Sequence, residues 1–177
     1  MIKTAKALSI AGVALIAVAA MAATTMEPPS LRKHPHFSKT VTVKLGKTEL
    51  KLSYRTTPAN EERVKKVEQG TMVMGFAKIE IPEGYEIGGS EIDAGTYGIG
   101  AIKNGDEDWT LALYPGTVGR GEKPDQSKAI ELESNLSTDM GNTGHVSFDL
   151  MPGRGDQEGK LTLIWHFGSL YLSGVFS

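Results

Sequence analysis

From Thr40 to the end of the chain, apolar residues recur at every second position in short runs, with glycine, proline or asparagine standing between the runs. Side chains of an extended strand alternate between its two faces, so each run is apolar on one side and polar on the other. Burying such runs requires stacked sheets or one curled sheet, which commits the chain to antiparallel β structure. Val41, Val43 and Leu45 alternate with Thr42 and Lys44, Gly46-Lys47 turns the chain, and Leu50, Leu52 and Tyr54 alternate with Lys51 and Ser53. Two half-buried strands joined by a tight turn follow from this pattern.

Met72 to Ile81 is apolar on both faces at first, which predicts a central strand covered on both sides. Gly88-Gly89 and Asp93-Ala94-Gly95 bracket a small excursion before a strand over Thr96 to Ile102. Asn104-Gly105 predicts a hairpin, because both residues accept positive φ, and Trp109, Leu111 and Leu113 alternate on the return strand. Pro115 to Ser127 reads as a polar loop, Ala129 to Leu132 as a weak strand, and the chain from there to Gly144 as a second polar loop. Val146 to Met151, Leu161 to Phe167 and Leu170 to Phe176 read as strong strands, the last two joined by Gly168-Ser169. Thr57 to Gly70 is the one predicted helix, with Asn60 as cap, Glu61 and Glu62 at its positive end and a narrow apolar face of Val64 and Val67. The sum is an all-β fold, an antiparallel β-sandwich or barrel-like arrangement of about nine strands with one short surface helix.

The first residues belong to another class. Lys3 and Lys6 precede an apolar stretch from Ala7 to Ala20, and Ala20-Met21-Ala22 has the small residues of a signal-peptidase site. Residues 1–22 thus read as a signal peptide cleaved near Ala22, which predicts a periplasmic or secreted protein. The competing reading is an uncleaved anchor, but the stretch is short and alanine-rich against the roughly 20 strongly apolar residues of a spanning helix. Residues 23–37, with Pro28, Pro29 and Pro35, read as an extended tether, and 38–177 as a single sandwich domain. No later segment is apolar enough to span a bilayer as a helix. The chain has no cysteine, so packing and backbone pairing must stabilise the domain without disulfides. The leader holds two of the 19 basic residues and none of the 21 acidic ones, so the remainder is weakly acidic. That balance argues against nucleic acid as a partner.

The stretch Gly88-Gly89-Ser90-Glu91-Ile92-Asp93-Ala94-Gly95-Thr96-Tyr97-Gly98-Ile99 and the following Asn104-Gly105-Asp106-Glu107-Asp108-Trp109-Thr110-Leu111 have a familiar shape. With Ser53-Tyr54-Arg55 before them and Leu161-Thr162-Leu163-Ile164-Trp165 after, the chain from about His36 to Phe176 resembles the DUF2911 family, exported bacterial domains of unknown function. The resemblance implies a β-sandwich behind a signal peptide and supplies no catalytic residues. Family members usually carry a Trp-Arg-x-Gly segment ahead of the Gly-Gly turn, where this chain reads Val67-Glu68-Gln69-Gly70-Thr71-Met72. A site built on that segment would be missing here.

Reactive side chains are few and scattered. His34 and His36 form an H-x-H whose imidazoles share one side of an extended segment, and two imidazoles suit Zn or Cu. A third ligand would have to come from His145, His166 or an acid. His166 lies on the polar side of its strand, where a hydrogen-bonded strand histidine is the plainer reading. Asn104, Asp106 and Asp108 are spaced like the start of a calcium loop but lack its glycine and distal glutamate, so an acidic hairpin tip fits them better. Arg154-Gly155-Asp156 has the composition that loop geometry selects. The chain has no G-x-S-x-G and no thiol, and no catalytic residues are assigned. Trp109, Trp165 and Phe148 have apolar neighbours two positions away and read as core, whereas Tyr97 reads as a residue able to line a ligand cleft.

Three functions fit this inventory. The first is a non-catalytic exported domain that binds a small molecule or an envelope protein. The second is a metal-assisted envelope hydrolase with His34, His36 and His166 as the candidate ligands. The third is an assembly module pairing through an exposed sheet edge.

Overall fold

A computed structural model of the chain describes residues 36–82, 85–87, 90–119, 121–155 and 158–176. The leader, most of the tether and His34 lie outside them. Two antiparallel sheets pack face to face. The larger has six strands in the order β1 (Ser38–Leu45), β2 (Thr48–Arg55), β3 (Met72–Ile81), β6 (Gly95–Lys103), β7 (Trp109–Pro115) and β8 (Ile130–Glu131). The smaller has four, in the order β10 (Thr143–Pro152), β11 (Leu161–Gly168), β12 (Leu170–Phe176) and β9 (Glu133–Ser137). A separate hairpin, β4 (Tyr85–Ile87) and β5 (Ser90–Ile92), fills the excursion between β3 and β6.

The alternating residues do what their period dictates. Leu50, Leu52 and Tyr54 of β2 are buried, as are Leu161 and Leu163 of β11, and Phe148 of β10 packs between the rings of Tyr54 and Trp165. Gly75 lets this happen, since a Cβ there would stand 2.6 Å from Phe148 Cζ. The two edges of the sandwich are fastened differently. On one side the chain steps from sheet to sheet at Leu132, whose N–H donates to Leu111 O at 2.9 Å. On the other, Val146 N donates to Thr57 O and Ala59 N to Gly144 O, with Pro58 bridged to His145. The sheets stay separate, so the fold is a sandwich and does not close into a barrel.

Several expectations change in detail. Among the described residues twelve strands form instead of about nine, because β4, β5 and β9 join the expected set. The sequence of β9, Glu-Ser-Asn-Leu-Ser, is mostly polar and looks like loop, yet it forms an edge strand paired with β12, where one face and one edge meet water. The helix α1 is confined to Glu61–Lys65, with Asn60 Oδ1 accepting from Arg63 N at 3.3 Å as the cap reading required. Two valines are too little apolar surface to hold a longer helix, and short helices do not support themselves in water. The Asn104-Gly105 loop uses no positive φ. Its five residues close through Asn104 N and Gly105 N on Asp108 O, a wider loop that ordinary backbone angles can make. Asp106 in that loop reaches back to the buried amine of Lys103 at 3.0 Å. Phe76, expected inside a doubly covered strand, is 65% exposed, because it shares the outer side of β3 with Lys78 and Glu80, where that side faces water.

Candidate functional site

One end of the sandwich is not filled. Val73 of β3, Ala101 of β6 and Trp109 of β7 on one sheet face Leu136 of β9, Trp165 of β11 and Leu172 of β12 on the other, around a cavity of about 210 Å³. Its walls are apolar almost throughout. The other inward positions of the two sheets carry side chains that pack into the core.

α1 covers the mouth. Val64 and Val67, the two apolar residues of the helical stretch, turn to the cavity, and Arg63 stands at its edge. The helix is tied to the β11–β12 turn by Glu61, whose Oε1 accepts from Ser169 N at 2.6 Å. That amide bond, the Ser169 hydroxyl and nearby Lys65 hold the Glu61 carboxyl below its ordinary value. Gly168 makes the approach possible, because a Cβ there would overlap the Glu61 carboxylate. Past the helix, Gly70 N donates to Lys103 O at 2.7 Å and fixes the chain as it enters β3.

One of the lining tryptophans carries an unmatched polar atom. Trp165 Nε1 is buried and has no hydrogen-bond acceptor among the described residues. A buried donor left unmatched costs about 1–3 kcal/mol. The chain has two tryptophans, and both line the cavity.

The residues singled out from sequence fall elsewhere. Tyr97 does not line the cavity: its ring is buried in the core and its hydroxyl donates to Asp93 O at 2.8 Å. Burial and the Asp93 charge raise its pKa. His36 is pinned ahead of β1, its Nδ1 2.9 Å from Thr56 O, while beside it Phe37 N donates to Thr56 Oγ1 and Thr56 N donates to Phe37 O. His166 lies on the outer face of β11, edge-on to Tyr171 at 5.5 Å and with Nε2 3.4 Å from Gly141 O. His145 is exposed at the sandwich edge. Among the described residues no three His, Cys, Asp or Glu side chains gather in a metal-holding group. His34 lies outside those residues.

The cavity residues were only partly visible beforehand. Val64 and Val67 were read as the inner face of the helix, and Trp109 and Trp165 as core. Leu136 was missed within a presumed loop, although Ile130, Leu132, Ser134 and Leu136 keep the period of two. Arg63 carried no signal, since one cation in a basic run is ordinary helix surface.

Comparison with protein-family models, with curated proteins and with solved structures finds no match to this chain. Fold and cavity therefore define a class: a two-sheet antiparallel β-sandwich with an apolar chamber between its sheets, covered by a short latched helix.

Proposed function

We propose that this is an exported, non-catalytic binding domain, of the DUF2911 kind, whose chamber takes up one small apolar molecule carrying a hydrogen-bond acceptor. The leader-like residues 1–22 support export, and the chamber carries the binding assignment. An apolar cavity of about 150 Å³ stays dry and holds benzene or xenon. At about 210 Å³ this one has room for a substituted ring or a short branched chain. The unmatched Trp165 donor favours a ligand with a carbonyl or ether oxygen, which would recover the hydrogen bond.

The two tryptophans report on occupancy directly. Titration of the purified protein with acetophenone should change intrinsic fluorescence saturably and raise the melting temperature. Ethylbenzene, similar in size but without the oxygen, should bind more weakly. Trp165→Phe keeps a ring in the wall and removes the donor, so it should erase the preference between the two ligands. Unchanged fluorescence and melting temperature with both compounds would sink the assignment.

A further inference from the structure

A second concavity, of about 550 Å³, lies on the outer face of the six-stranded sheet. It lies beside the register shift in β3 between Met74 and Lys78. β2 and β3 pair only from Lys51↔Glu80 to Tyr54↔Ala77; the pairing ends there, so Arg55 has no ladder partner on β3. The gap between the diverging strands is floored by Gly98, where a side chain would run into Met74 Cε at 2.9 Å. Its far wall is Thr117 and Val118, held by Gly98 N donating to Gly116 O at 2.7 Å and Gly116 N donating to Thr96 O at 2.8 Å. The floor and far wall of the cleft are thus joined by backbone hydrogen bonds.

The chemistry of the rim is specific. Lys39, Arg55 and Lys78 line the cleft, and among the described residues no carboxylate does. Lys78 is partly neutralised by Glu80 at 3.2 Å, whereas Lys39 and Arg55 form no ion pair among the described residues. This cationic cleft belongs to a chain of net formal charge −2. Beside the cations stand the hydroxyls of Thr40 and Ser53, 3.3 Å apart, and the exposed ring of Phe76.

We infer that this cleft is a binding site for an acidic saccharide, an oligosaccharide bearing uronate carboxylates. Each component has a role in that fit. A pyranose presents a C–H face that packs on an aromatic ring, here Phe76. Its carboxylate pairs with the guanidinium of Arg55, whose planar donors match both oxygens. Its hydroxyls exchange hydrogen bonds with Thr40 and Ser53. An inorganic anion would leave the Phe76 ring unused, and an apolar ligand would leave the cations unused. Three cations on an acid-leaning chain are too few for a nucleic-acid footprint. The assignment is independent of the apolar chamber and of whatever fills it.

The test is calorimetric titration of the full purified protein with trigalacturonate and with a hyaluronan tetrasaccharide, against neutral maltotriose and 2-naphthoate. At least one uronate oligosaccharide should bind, with maltotriose and naphthoate each ~10-fold weaker or undetectable. Arg55→Gln should weaken it ~10-fold through loss of a charge-assisted pair. Phe76→Ala should weaken it ~5-fold through loss of the stacking surface. Both residues are exposed, and circular dichroism verifies that each variant is folded. Failure of both uronates to bind, equal binding of maltotriose or naphthoate, or wild-type affinity in both variants would overturn the site.

Discussion

Gly168 and Glu61 should behave as an energetically coupled pair although 107 positions separate them in sequence. Gly168 opens the β11–β12 turn at φ +64, a conformation in which any other residue is strained. Alanine there bears a left-handed cost of about 1 kcal/mol. It also overlaps the Glu61 carboxylate, whose Cδ would lie 2.8 Å from the new Cβ, and so expels it from Ser169 N. A hydrogen bond to a charged group contributes about 1.5–3 kcal/mol, and the lower figure suits this half-exposed carboxylate. Gly168→Ala alone should therefore cost about 2.5 kcal/mol and Glu61→Ala alone about 1.5 kcal/mol. The double variant should also cost about 2.5 kcal/mol, not the additive 4, because without the carboxylate the alanine meets only its backbone strain. Urea denaturation of the four proteins measures the cycle, with m expected to be unchanged. Additive costs within about 0.5 kcal/mol would refute the latch, as would a Glu61→Ala variant as stable as wild type.

The same carboxylate predicts a pH dependence. Its folded pKa lies below the ordinary 4.5, chiefly because it accepts from the Ser169 amide. The stabilisation is thus complete above 4.5 and is lost as pH falls through the depressed folded value. The stability gap between wild type and Glu61→Ala should hold from pH 7 to about 5 and narrow toward pH 3; a constant gap over that range contradicts the ionic latch. In the core, Phe148→Ala should cost about 3–5 kcal/mol, since the ring is 2% exposed and wedged between Tyr54 and Trp165. A loss under about 1 kcal/mol in the same assay would mean that the sheets close over the gap.

Most of the sandwich was legible in advance because β-strand burial is written locally. Where Leu50, Leu52 and Tyr54 alternate with polar residues, the inward face follows from the pleat alone, and the hairpin at Gly46-Lys47 follows from its turn residues. Legibility failed where a strand needed little hydrophobicity. β9 takes its order from the β12 backbone, so its polar sequence looks like loop. It failed again at Phe76: the run of Met72, Val73, Met74 and Phe76 looks covered on both sides, yet Phe76 shares its side of the pleat with Lys78 and Glu80 and meets water there. Tyr97 shows the converse: an aromatic on a glycine-rich strand suggested a cleft, yet the nearby carbonyl of Asp93 satisfies its hydroxyl and lets the ring enter the core.

By itself, the sequence of this chain determined a two-faced pleated architecture and the absence of thiol chemistry. Those are properties of neighbouring residues. The chamber, its helical cover and the outer cationic cleft were decided only in three dimensions. Each is assembled from side chains on four or more separate segments and depends on how the strands and sheets that carry them meet. No single stretch of sequence encodes that meeting.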